Sequence, residues 1–200
     1  MPASLRRVTR EDLLPDAEYA KVRTERRREL LPAKRLRRIS LGPIATVYFE
    51  SYETMLFQIQ EMLLTERGGE AQVADELEAY NPLIPQGSEL VATIMFEIDD
   101  PIRRAEALNR LGGVERCFYL EVGGERASGV QEGDEERTRP DGKTSSVHFL
   151  RFPLTPAQAA RFRDPATRIL LGCDHEAYAH MAVLAPATRA ELSRDLDAAA

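Results

Sequence analysis

The chain has no tryptophan, two cysteines, three histidines and no long apolar run, and each shortage excludes something. Without tryptophan, the core must rest on Leu, Ile, Val, Ala and Phe. Cys117 and Cys173 form no CxxC pair. A disulfide framework, a thiolate zinc site and a cysteine-ligated iron–sulfur cluster are therefore not expected. Both cysteines lie in strand-like apolar runs, where thiols are structural. The longest such runs, Ile169-Leu170-Leu171 and Met181-Ala182-Val183-Leu184-Ala185, fall far short of the roughly 20 residues that cross a bilayer. The opening residues carry no apolar stretch of the signal-peptide kind. The expectation is a cytoplasmic chain without a membrane partner. No GxSxG, HExxH, P-loop or EF-hand sequence occurs, and no GxGxxG stands at a strand–helix junction.

What is present is ordinary for a globular protein. Of 200 residues, 43% are hydrophobic and 30% charged, enough to fill one core. The net charge of −6 hides an asymmetry. Residues 1–40 hold 12 Lys and Arg against 6 Asp and Glu, so the rest of the chain is strongly acidic. A basic arm on an acidic body is not the usual footprint of nucleic-acid binding. It suits an arm lying on its own body or on that of a symmetry mate, so a homo-oligomer is one expectation.

The expected organisation is a basic helical arm over residues 1–37, followed by one α+β domain over 38–200. Thr9-Arg10-Glu11-Asp12 resembles a capping box and opens a helix towards Leu30, which Pro32 should stop. Strand-like runs follow at Arg38–Leu41 and Thr46–Glu50. Ser51 caps a helix to about Arg67, on which Tyr52, Met55, Leu56, Ile59, Met62 and Leu63 share one apolar arc. Thr54, Gln58, Glu61 and Thr65 form a separate polar stripe, solvated unless the sheet covers it. Further strands are expected at Glu89–Ile98, Arg116–Val122, Ala127–Gln131, Ser145–Leu154, Arg168–Cys173 and Tyr178–Leu184. Short helices start after Gly69, Asp100, Thr155 and near Pro186, and 132–143 reads as a polar loop. The fold class is α+β, with a mixed, mainly antiparallel sheet and helices packed on it.

Candidate chemistry gathers on the 51–67 helix and the 143–152 strand. If the helix stays regular, Glu66 projects on the apolar arc, where a carboxylate needs a partner, a ligand or a proton. If the end frays before Gly68, Glu66 turns to solvent. His175 and His180 are too far apart in register to form a local metal pair. A zinc or iron site would need Glu66, His148 and His175 to converge; otherwise His148 is a hydrogen-bonded strand residue and His175 a turn residue. Polar groups occupy both faces of the 143–152 strand. They imply either an internal network or a ligand site, with Gln58, Glu61, Lys143, Ser145 and Arg151 as binding residues.

The runs Leu41-Gly42-Pro43, Tyr48-Phe49-Glu50, Thr54-Met55 and Gln58-Ile59-Gln60-Glu61-Met62-Leu63 form a recognisable set. With them go Glu66-Arg67, Tyr80-Asn81-Pro82-Leu83-Ile84-Pro85 and Lys143-Thr144-Ser145-Ser146-Val147-His148-Phe149-Leu150-Arg151-Phe152. Together they resemble a bacterial family, domain of unknown function 3501, over nearly the whole chain. The Asp174-His175 hairpin with Tyr178 and His180 fits the resemblance; the short Gly68-Gly69 connection departs from it. The resemblance implies no established activity. It implies a genomic setting beside rubrerythrin-like proteins and iron–sulfur oxidoreductases, and so an accessory or binding role in redox defence. The alternative is a metal- or cofactor-binding enzyme with its site between that helix and strand.

Overall fold

The computed structural model describes residues 5–133, 137–139 and 142–197. Parts of the expected 132–143 loop (134–136, 140 and 141) and the Ala-rich tail from 198 lie outside the described residues. The architecture is α+β, built on two antiparallel sheets rather than one.

The first sheet has the order β1-β2-β3-β7-β6: β1 (Arg38–Leu41), β2 (Ala45–Phe49), β3 (Glu89–Phe96), β6 (Val130–Gln131) and β7 (Val147–Pro153). The second has the order β5-β4-β8-β9: β4 (Phe118–Val122), β5 (Glu125–Ser128), β8 (Ile169–His175) and β9 (Tyr178–Val183). The sequence suggested one strand over 127–131. Gly129 divides it, sending β5 to one sheet and β6 to the other. A Cβ there would sit within 3.2 Å of the Phe152 and Leu150 side chains.

Alternation along the strands sorts the side chains into two cores. Leu90, Ala92, Ile94 and Phe96 of β3, with Leu150 and Phe152 of β7, face the second sheet and meet Phe118, Leu120 and Leu171. Val91 and Phe149 face the opposite way, onto a helical layer. That layer holds α1 (Asp16–Leu36), α2 (Tyr52–Glu66) and α3 (Gly69–Tyr80). Met55, Ile59 and Leu63 of α2 supply the buried face its apolar arc foretold. The remaining helices are α4 (Pro101–Arg110), α5 (Pro156–Arg163) and α6 (Pro186–Leu192). Tyr178 ties the sheets together: its hydroxyl accepts from the Ile44 and Ala45 N–H groups and donates to the Leu41 carbonyl.

The N-terminal helix differs most from expectation. Thr9 caps only a short 3₁₀ turn, Arg10–Asp12. The long helix α1 begins after Pro15 and runs through Pro32 to Leu36. Proline removes one N–H and crowds the carbonyl four residues earlier. Here Pro32 and Arg28 both lie on the exposed side, where water takes up the freed carbonyl and the helix continues. Only Tyr19 of α1 is buried. Polar ties dock the helix: Tyr19 donates to Glu61 at 2.8 Å, and Arg23 forks onto the same carboxylate.

Candidate functional site

The strand-to-helix junction at Phe49-Glu50-Ser51 has no turn residue, so β2 passes directly into the N-cap of α2. Ser51 accepts from the Thr54 N–H, and Thr54 Oγ1 accepts from the Ser51 N–H at 2.9 Å. Glu50 follows Thr46 and Tyr48 on the strand face that the helical layer covers. It is carried under α2 and largely withdrawn from water. Its carboxyl is buried, with Oε2 2.7 Å from Thr54 Oγ1 and Oε1 2.7 Å from Thr93 Oγ1.

The hydrogen count at Thr54 bears on the state of that carboxyl. Its oxygen already accepts the Ser51 N–H and has one proton for two acceptors, Glu50 Oε2 and the Ser51 carbonyl at 3.1 Å. A proton on Oε2, donated to Thr54, lets the Thr54 hydroxyl donate to the Ser51 carbonyl, which also accepts the Met55 N–H at 3.1 Å, so the geometry accommodates a neutral carboxyl without requiring one. Burial agrees, pushing the Glu50 carboxyl above its ordinary value. The hydrogen bonds from Thr54 and Thr93, and the charges of Lys34 and Arg37, pull the other way and are outweighed.

Glu50 lines a cavity of about 360 Å³ between the first sheet and the helical layer. Its apolar walls are Met55, Leu83, Met95, Val147 and Phe149, and its polar groups are Glu50, Thr54, Thr93, Gln58, Tyr80 and Lys34. Among the described residues, the Gln58 amide, the Tyr80 hydroxyl and the Lys34 ammonium make no hydrogen bond to another protein group. Lys34 only overhangs the Phe57 ring, at 5.7 Å from its centroid. Arg37 closes the floor. Burial works against its charge, but the Asp195 carboxylate at 2.7 and 2.8 Å, with Glu191 at 3.1 Å, holds the guanidinium charged. Its Nη1 also donates to the Glu50 carbonyl at 3.0 Å.

A second cavity, of about 380 Å³, lies between α1, α2 and α6. Several of its polar side chains are spent on protein. Gln60 bonds both backbone groups of Leu14, Tyr19 bonds Glu61, and Glu191 bonds Arg37. Unspent polar groups around an apolar interior mark the Glu50 cavity as the better candidate.

The residues singled out from sequence are distributed over the molecule. Gln58 faces the Glu50 cavity, so the polar stripe of α2 divides: Thr54 and Gln58 lie under the helix, while Glu61 binds the arm. Arg151 points to the same sheet face but is engaged by Glu89, Glu132 and the Pro82 carbonyl. Lys143 and Ser145 line a separate depression with Arg137 and Arg139. Glu66 is exposed on the last turn of α2 and accepts from Gln72 at 2.9 Å. There Arg67 enters the left-handed region at φ 56° and ends the helix. His148 is wholly buried between the sheets, edge-on to Phe96, with Nε2 2.8 Å from the Ser145 carbonyl. Burial lowers its affinity for a proton. His175 sits at the β8–β9 turn, bonded to Gly112 O and Ala177 N. Among the described residues, no three His, Cys, Asp or Glu side chains form a set able to hold a metal ion.

Sequence reasoning missed Glu50, Thr93, Lys34 and Tyr80 as site residues. The signal for Glu50 was available: a carboxylate on the covered face of a strand, with no turn before the next helix cap. Lys34 and Thr93 carry no such local mark, since only the tertiary fold brings them together.

No curated protein matches the chain. A crystal structure of a novel protein of unknown function from Burkholderia pseudomallei K96243 is similar to it. The two are 38% identical, with a TM-score of 0.87 over 95% of this chain and 99% of that one. The model of the family described as Protein of unknown function (DUF3501) matches residues 7–196, and the chain belongs to that family.

Proposed function

We propose that this protein is a binding protein that holds a small organic ligand in the Glu50 cavity. One observation carries the reading: a buried carboxyl and three unspent polar side chains, Lys34, Gln58 and Tyr80, converge on one apolar-walled space. Lys34 is exposed and Gln58 and Tyr80 are half-buried, so these groups are available to a ligand whose body fits the apolar walls. Glu50 acts as a neutral anchor and proton store, not as a fixed anion.

In the setting that the family resemblance implies, the loaded protein is an accessory component beside rubrerythrin-like or iron–sulfur redox proteins. The exposed basic residues of α1 favour docking onto an acidic partner surface. A second reading makes the same cavity a cofactor-dependent active site. It is favoured by the cavity walls, where Thr54, Met55 and Gln58 of the 51–67 helix oppose Val147 and Phe149 of the 143–152 strand.

The test is native mass spectrometry of protein purified without oxygen, with a fragment screen read from the Met55 and Met95 methyl resonances. The expected result is a retained or screened ligand that shifts both methyls and is lost in Glu50→Ala. Fragments that bind elsewhere and leave both methyls unmoved would overturn it. For the accessory role, affinity capture under reducing, anaerobic conditions should retain the redox partner, and a charge-reversed α1 should release it.

A further inference from the structure

Resting on the cavity reading above, we infer that the ligand is a small organic monoanion, a carboxylate on an apolar body, seated with its charged end at Lys34.

The charges lining the cavity carry this. Three acidic or basic side chains border it: Lys34, Arg37 and Glu50. Arg37 is spent, with a bidentate bond to Asp195, a further contact to Glu191 and a donation to the Glu50 carbonyl. Glu50 is engaged by the Thr54 and Thr93 hydroxyls and makes no ion pair with Lys34, and its burial favours the uncharged form. Lys34 has no ion pair among the described residues, and its neighbour Phe57 offers only a ring face. The cavity therefore carries one positive charge at its rim with no protein counter-ion among the described residues.

The remaining groups set the shape of the guest. Met55 and Met95 are polarisable and adaptable, and with Leu83, Val147 and Phe149 they suit an apolar or aromatic body. The Gln58 amide and Tyr80 hydroxyl are donors well suited to carboxylate oxygens. A phosphate monoester fits less well. It favours several donors or an arginine fork, whereas Arg37 is occupied and the N-terminus of α2 is closed by Ser51 and Thr54. A single ammonium with neutral donors matches a charge of one.

Titration calorimetry on the full chain tests this with three probes: 3-phenylpropanoate, its neutral amide and phenyl phosphate. The expected order is carboxylate tighter than either of the others. Lys34→Gln should weaken the carboxylate about tenfold, the worth of one charge-assisted contact, and leave the amide unchanged. Lys34→Arg should restore most of the affinity. An amide that binds as well as the carboxylate, or a Lys34→Gln protein indifferent to the charge, overturns the anion assignment while leaving a cavity that binds. Tighter binding of phenyl phosphate overturns the carboxylate class. If no probe binds, the assignment fails; if a broad fragment set also leaves the Met55 and Met95 methyls unmoved, the cavity reading fails with it.

Discussion

At the residue scale, Glu50 is the point on which the chemistry turns. Its proton is held in the folded chain at pH values where an unfolded glutamate, near pH 4.3, has already released it. The folded state thus binds the extra proton, and stability falls as pH rises. The contribution of Glu50 is complete below about pH 4.3 and is lost as pH climbs through the raised folded value. Glu50→Gln fixes the neutral form, so its advantage over wild type in urea unfolding should grow from about pH 4.3 up to the raised folded value and then level off. Parallel stability curves would mean an ordinary, ionised Glu50. Arg37 makes the opposite case, a buried charge that must stay. Arg37→Met leaves Asp195 and Glu191 without their partner and should cost about 3–5 kcal/mol by denaturation midpoint. Adding Asp195→Leu should recover much of it. Sequence could reveal neither role fully. Glu50, just past the end of β2, carried a local mark in the missing turn before the Ser51 cap but none of its burial, and the partner of Arg37 is contributed from the far end of the chain.

At the element scale, α2 was the most legible part of the molecule, because its caps and apolar arc depend on residues a few positions apart. Ser51→Ala should cost about 1 kcal/mol in unfolding through loss of its cap. Ile59→Ala, at a fully buried position, should cost about 2–5 kcal/mol. The same local view could not decide which side of the polar stripe the sheet would cover. Thr54 and Gln58 went under and Glu61 did not, because β3 and the C-terminal turn of α1 approach only one end of the helix. Helix α1 was misjudged for a related reason. Pro32 is a stop signal on average, but its cost depends on whether water can reach the carbonyl of Arg28, and that is set by how the helix lies on the body.

At the scale of the whole molecule, the sequence pointed to one mixed, mainly antiparallel sheet; every pairing of the named strands is antiparallel, and their division into two sheets was not visible. Register alternation gives each strand two faces without saying which strands share a layer, and Gly129 alone marks the crossing. The fold places a helical layer over one sheet, and the cavity occupies the seam between them. No described helix is long and apolar enough to cross a membrane. The charge asymmetry read from sequence survives as an exposed, basic α1 tied to the body through Glu61 and, at its C-cap Arg37, through Asp195 and Glu191. If α1 docks an acidic partner, capture of that partner should weaken steeply as salt rises from low to physiological ionic strength. Salt-independent capture would place the contact elsewhere.

The central claim is a neutral carboxyl held inside a ligand-sized cavity, and ¹³C NMR of the Glu50 side-chain carboxyl across a pH titration tests it most directly. The account predicts the protonated chemical shift at pH 7, with the transition displaced above the ordinary glutamate value of about 4.3. A Glu50 resonance whose transition is complete by about pH 5 would contradict it.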